Sequence, residues 1–192
     1  AGAVQPGDED DYFQSSLFTI ARRRILWLLI LVLANGLTTK VIAMNDQILK
    51  EIVLLAAFIP LLIGTGGNVG AQSSTVVIRG LSTQKLKSLG AIKAVVKEAI
   101  TGALLGVFMM LVVFPFAWWQ GEGPLIASAV GISLISITTL AATTGAILPL
   151  LFDRMKLDPA LMSSPFITTV TDIAGVFIYL STAKWLLNSS LT

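Results

Sequence analysis

Apolar residues in this chain come in long blocks rather than in the alternating or one-face patterns of water-soluble strands and helices. A helix rising 1.5 Å per residue needs about 20 residues to cross a hydrocarbon core ~30 Å thick, and five blocks reach that length. The first runs from about Ile25 to Met44 and is entered through Arg22, Arg23 and Arg24. The second begins near Ile48 and reaches about Ile78; Pro60, Gly64, Gly66, Gly67 and Gly70 interrupt it, so the pattern does not guarantee a straight helix between Pro60 and Ala71. Gly64, Gly67 and Ala71 also read as a close helix contact. The third block, about Val95 to Trp118, ends on Trp118 and Trp119, whose rings favour the membrane interface. The fourth, Leu125 to Phe152, is rich in Ser, Thr, Ala and Gly, which let membrane helices approach closely. A loop from Asp153 to Ser164 precedes the fifth, Pro165 to Leu187, which Pro165 opens at a first-turn position where its missing N–H costs nothing. The expected fold is an all-α membrane protein with five transmembrane helices per chain.

The polar stretches between the blocks set the topology. Three of the thirteen Lys and Arg residues precede the first block, five lie from Arg79 to Lys97, and Arg154 and Lys156 lie in the last loop; only Lys40, Lys50 and Lys184 fall on the other side. The positive-inside rule then puts the N-terminus, the basic loop and the last loop in the cytoplasm, and the C-terminus outside a multi-pass cell (inner) membrane protein. Residues 1–21 read as a cytoplasmic tether, acidic at Asp8, Glu9, Asp10 and Asp11 and unlike a signal peptide, and residues 22–192 as one membrane domain.

Composition sharpens this reading. The chain is 55% hydrophobic and 12% charged, against roughly 25% charged in soluble domains. It has no Cys and no His, which removes disulfides, thiolate nucleophiles, imidazole metal ligands and histidine proton relays. No nucleophile with a base, nucleotide loop or redox motif is present, and the GTGG at Gly64–Gly67 lacks the preceding strand and the spacing of a dinucleotide fingerprint. The expectation is a protein that is not an enzyme, takes no organic cofactor, binds no nucleic acid and has the lipid bilayer as its surroundings.

One acidic residue lies deep in a block. A carboxylate at a bilayer centre costs about 2.5–3.5 kcal/mol on insertion scales, so such groups face a bundle interior, a cavity or an ion path. Asp172 is that residue, and its helical neighbours are Thr168 and Thr169 on one side and Gly175, Val176 and Tyr179 on the other. The nearest cation in its block, Lys184, is about three turns away, which makes a bound cation the natural counter-charge. The second block offers neutral oxygens at helical spacing: Thr65, Asn68, Gln72 and Thr75. Hard cations take such ligands, and Mg2+, which gives up water reluctantly, suits one or two carboxylates with retained waters. One carboxylate per chain fits that chemistry if two chains meet at an axis. Glu98 carries two readings: a carboxylate at a helix start favoured by the dipole, or a ligand or gate at the cytoplasmic mouth.

The run Pro60-Leu-Leu-Ile-Gly-Thr-Gly-Gly-Asn-Val-Gly-Ala-Gln-Ser-Ser-Thr75, with Asp158-Pro-Ala-Leu-Met-Ser-Ser-Pro165 leading to Thr168-Thr-Val-Thr-Asp-Ile-Ala-Gly175, resembles the membrane domain of the MgtE magnesium channel family. The resemblance covers nearly everything from Arg22 onward. It implies a homodimer of five-helix subunits with the ion path at their interface, lined by the second and fifth helices, a hydrated Mg2+ held at Asp172, and the Thr168 backbone carbonyl facing that path. Ser164 departs from the pattern: the family places an asparagine there. Many members carry a cytoplasmic N-terminal domain and paired CBS regulatory modules, and Ala1–Ala21 reads as the end of a connector to such a region, absent here. The functions this leaves are a magnesium-selective channel, a secondary transporter exchanging a divalent cation for Na+ or H+, and a non-conducting assembly subunit.

Overall fold

The computed structural model describes residues 16–84, 86 and 90–189, and among these every regular element is a helix. Lys85, Lys87 and most of the acidic tether lie outside the described residues. In chain order the helices are α1 (Leu17–Ala43), the short α2 (Asp46–Glu51), α3 (Val53–Ser82), α4 (Ala91–Ala117), α5 (Gly123–Arg154) and α6 (Pro159–Ser189), with a π-helical turn, Trp118–Glu122, between α4 and α5. Gly123 closes that turn at φ 82°, a left-handed conformation that glycine adopts without a steric cost.

Among the described residues four stretches are long and apolar enough to cross a bilayer: Val53–Ser82, Ala91–Gln120, Gly123–Arg154 and Pro165–Asn188. The expected first span meets that standard only in part. Its helix has 27 residues, and its apolar portion among the described residues, Leu28–Ala43, is shorter than a span. Helix boundaries differ elsewhere too. The predicted tether to Ala21 ends in helix, since α1 already begins at Leu17. The predicted loop from Asp153 to Ser164 is shorter, because α6 starts at Pro159 and carries Pro165 inside it. The second block stays helical through its prolines and glycines, with Asn45 to Ile52 forming a corner and α3 running unbroken from Val53. In lipid a broken backbone would strand N–H and C=O groups without water, so the helix is held despite poor local propensity.

α5 is the hub, packing against α3, α4 and α6, while α1 leans on α6. Its small residues make this possible, as the fourth block's composition predicts. A Cβ on Gly102 of α4 would stand 2.5 Å from the Thr138 carbonyl oxygen of α5, and one on Gly145 would collide with the Gly70 carbonyl of α3. Leu62, Leu134, Ile137, Val176, Tyr179 and Leu180 fill the centre of the core with almost no exposure. In that seam the Thr138 hydroxyl lies 2.8 Å from both the Gly102 and the Leu134 carbonyl oxygens, able to donate to either.

The bundle ends differ in charge. Ser82, Gln84, Gly90, Asp153 and Arg154 surround one cavity, which brings the α3–α4 and α5–α6 connections to the same end. Asp46, Glu51, Lys184 and Asn188 line another, which brings the α1–α3 corner to the end of α6. In that corner Lys50 Nζ donates to Asp46 at 2.5 Å and holds its carboxyl below the usual carboxylate range. Arg154 and Lys184 thus stand at opposite ends of the bundle.

Candidate functional site

Helices α3 and α6 run antiparallel, and three glycines fix their register. A Cβ on Gly66 would lie 2.5 Å from Thr171 Cγ2, one on Gly67 would lie 3.8 Å from Thr168 Cγ2, and one on Gly70 would lie 2.5 Å from Ile167 Cγ2. Extending that register puts Asp172 level with Gly64 and Thr65. Around the Cβ position of Gly64 nothing lies within 4 Å. Asp172 is half-buried at this level, one helical turn beyond Thr168, which meets Gly67 of α3.

The carboxylate makes no hydrogen bond or ion pair among the described residues. Threonines of α6 next to it, and one at the far end of the α3 stripe, direct their protons back into the helix: Thr168 Oγ1 and Thr169 Oγ1 donate to the Pro165 carbonyl at 3.0 and 2.9 Å, and Thr75 Oγ1 donates to the Ala71 carbonyl at 2.8 Å. A hydroxyl that has donated inward offers lone pairs outward, toward a cation or its water. Thr168, Asn68, Gln72 and Thr75 are exposed, and Thr65 and Thr169 are half-buried. From Thr65 to Thr75 the stripe extends ~15 Å along α3 at 1.5 Å per residue.

Three of the expected roles fare differently. Gly175 is buried, and its Cβ position lies 3.7 Å from Ile137 of α5, so it belongs to the α5–α6 seam rather than to the open face. The close-contact glycines of α3 are Gly66 and Gly70, one helical turn apart, where the sequence suggested Gly64, Gly67 and Ala71. Glu98 is the eighth residue of α4, because that helix begins at Ala91 rather than near Val95, so a dipole effect confined to the first turn does not account for it. It lines a 370 Å³ cavity with Arg79, Thr83 and Lys97, about 20 Å along the bundle from the level of Asp172 at the helical rise per residue. The side chain of Ser164 lies outside the described residues. Among the described residues no three His, Cys, Asp or Glu side chains gather to hold a bare metal ion.

Residues 59–182 match the family model MgtE, described as a divalent cation transporter, and this is more than half of the chain. The chain belongs to the MgtE family. The matched region contains the Gly64–Thr75 stripe, Glu98 and Asp172, and leaves α1 outside. Among MgtE proteins, the magnesium transporter MgtE of Thermus thermophilus is 39% identical over 166 residues, 86% of this chain and 37% of that protein. The magnesium transporter MgtE of Bacillus subtilis is 32% identical over 182 residues, 94% of this chain and 40% of that protein. That of Enterococcus faecalis is 34% identical over 168 residues, 85% of this chain and 36% of that protein. The chain therefore spans about two fifths of the length of these MgtE relatives. Family membership and the apolar helices together make it a multi-pass membrane protein.

Proposed function

We propose that this chain is the conducting part of a magnesium channel, a transporter rather than an enzyme, whose ion path lies between two copies and is lined by α3 and α6. The observation that carries this reading is the unpaired Asp172 carboxylate level with the open space at Gly64, continued by the exposed oxygens of Asn68, Gln72, Thr75 and Thr168. A second copy across a two-fold axis supplies the second carboxylate, and α1 completes five spans per subunit. Two carboxylates at the axis hold Mg2+ through its water: stripping a small ion costs too much, and a monovalent ion gains too little from the pair. Thr65 and Thr169 support the same path, and the Thr168 carbonyl faces it. The N-terminus and the two basic connections lie in the cytoplasm, the C-terminus outside. Residues 1–21 form a tether on the cytoplasmic side of the membrane domain.

The test is magnesium uptake in cells lacking other magnesium transporters, comparing the parent with Asp172→Asn at equal membrane expression. The variant should lose uptake; equal rescue would end this reading. Exchange of a divalent cation for Na+ or H+ uses the same carboxylate, and the two divide on mechanism: single-channel currents support the channel, whereas strict dependence on a Na+ or H+ gradient supports the exchanger. A purely structural subunit predicts that Asp172→Asn alters stability and leaves flux unchanged.

A further inference from the structure

At the basic end of the bundle an open groove of 340 Å³ runs between the start of α4 and the end of α5. Ile92, Val95 and Val96 form one wall and Ile147, Leu150 and Leu151 the other; apart from Arg154 every lining residue is apolar. Ile92 is 81% exposed and Ile147 44%, so the groove opens away from the core. Arg154 stands at its mouth, exposed and in no ion pair among the described residues, and also lines the neighbouring polar cavity of 540 Å³ beside Gly90 and Asp153. The groove is thus apolar along its length and cationic at one end, and Arg79 and Lys97 line a further cavity beside the α3–α4 connection at that end.

We infer that this groove is a binding site for an anionic phospholipid, with an acyl chain along the α4–α5 wall and the phosphate held by Arg154. The inference rests on the membrane-spanning reading of α4 and α5, not on the ion path. Charge complementarity selects the lipid class. A neutral lipid fills the apolar part equally well, but only a net negative headgroup gains from an unpaired guanidinium in a field of excess positive charge. Arginine presents a planar fork of donors that suits phosphate oxygens. The wall also begins at Ala91 and Ile92, the first residues of α4, which no side chain caps, and this adds donors at the same mouth without making the site. Asp153, which lines the same polar cavity, is an opposing charge, and it makes the zwitterionic lipids the decisive comparison.

The experiment is native mass spectrometry of the detergent-purified chain with phosphatidylglycerol, phosphatidylethanolamine or phosphatidylcholine added at equal concentration. The parent should retain phosphatidylglycerol several-fold better than either zwitterionic lipid. Arg154→Gln should remove that preference while leaving thermal stability in detergent unchanged, and Ile147→Trp, which fills the groove without altering charge, should lower retention of all three. Lys184→Gln at the opposite end should change nothing. Equal retention of the three lipids by the parent overturns the inference, as does unchanged phosphatidylglycerol binding in Arg154→Gln. Loss of magnesium uptake plays no part in this test, so it stands or falls apart from the proposed transport function.

Discussion

A methyl group on Gly66 would lie 2.5 Å from Cγ2 of Thr171, a residue with no solvent exposure. Thr171 is β-branched and its hydroxyl donates to the Ile167 carbonyl at 2.6 Å, so it cannot rotate out of the way without breaking that bond. On the other flank the same methyl would meet Ile137 Cγ2 at 2.7 Å. Gly66→Ala should therefore push α3 off α5 and α6 and cost about 1–3 kcal/mol, the usual range for overpacking. Gly64→Ala and Gly175→Ala, which meet open space and ordinary contacts respectively, should melt like the parent. Thermal unfolding in detergent checks this series, and equal melting of all three variants would mean that the α3–α6 contact is looser than described.

These glycines mark where sequence reasoning stops. Blocks of apolar residues announce membrane helices because lipid imposes one rule on every residue, and four of the five blocks emerge as helices that meet the length of a span. The block from Ile48 to Ile78 contains four glycines, Gly64, Gly66, Gly67 and Gly70, and only rotation about α3 distinguishes them; Gly66 and Gly70 face α5 and α6, and Gly64 faces open space. That rotation is a property of packing, invisible until the partner helices are placed. Asp172 needed no partner to be noticed, since a lone carboxylate in an apolar block is conspicuous by its cost. Its relation to Gly64 depends on the antiparallel register, which no spacing within one block encodes. Of the two readings of Glu98, the helix-start one depended on a boundary that composition leaves loose: the apolar block begins near Val95, whereas α4 begins at Ala91 and takes up Lys93 and Lys97 on its exposed surface.

The open space at Gly64, level with Asp172, gives a prediction that separates folding from flux. Gly64→Leu adds a side chain where nothing lies within 4 Å, so the subunit should fold and reach the membrane as the parent does. If a hydrated ion passes this level, the added bulk should lower magnesium uptake at least several-fold. Normal uptake through Gly64→Leu would move the ion path away from this face of α3.

Thr138 ties α4 to α5 through the Gly102 carbonyl at 2.8 Å, with no exposure to lipid or water. Interhelical hydrogen bonds in membranes average ~0.6 kcal/mol and reach ~1.7 kcal/mol, because the separated helices find other partners. Thr138→Val should fall in that range, as a modest drop in melting temperature with transport intact. A cost well above it would indicate that the hydroxyl also positions Gly106, whose Cβ position falls on Thr138 Oγ1.

Two buried hydroxyls run the other way. Ser133 Oγ and Tyr179 OH are fully buried and make no hydrogen bond. A buried polar group without a partner carries its desolvation cost, about 1–3 kcal/mol, with no return. Tyr179→Phe and Ser133→Ala should therefore be neutral to stabilising in thermal unfolding. A clear loss in either would show that the hydroxyl has a partner in the membrane, and an internal water is the group of the right size.

Glu98 supplies the last prediction. Its carboxylate lies two turns into α4, half-buried, in a cavity whose wall includes Arg79 and Lys97, yet it pairs with neither. A helix-dipole role is excluded by that position, and a buried ion pair is excluded by the missing contact, so its burial is not repaid within the subunit. A cation arriving from the basic end would repay it. Glu98→Gln should then weaken block by magnesium applied from the cytoplasmic side, shifting the blocking concentration upward several-fold, while Asp172-dependent uptake at low magnesium persists. The neutral glutamine keeps the shape, so melting should not change. Identical block in parent and variant would return Glu98 to a structural role.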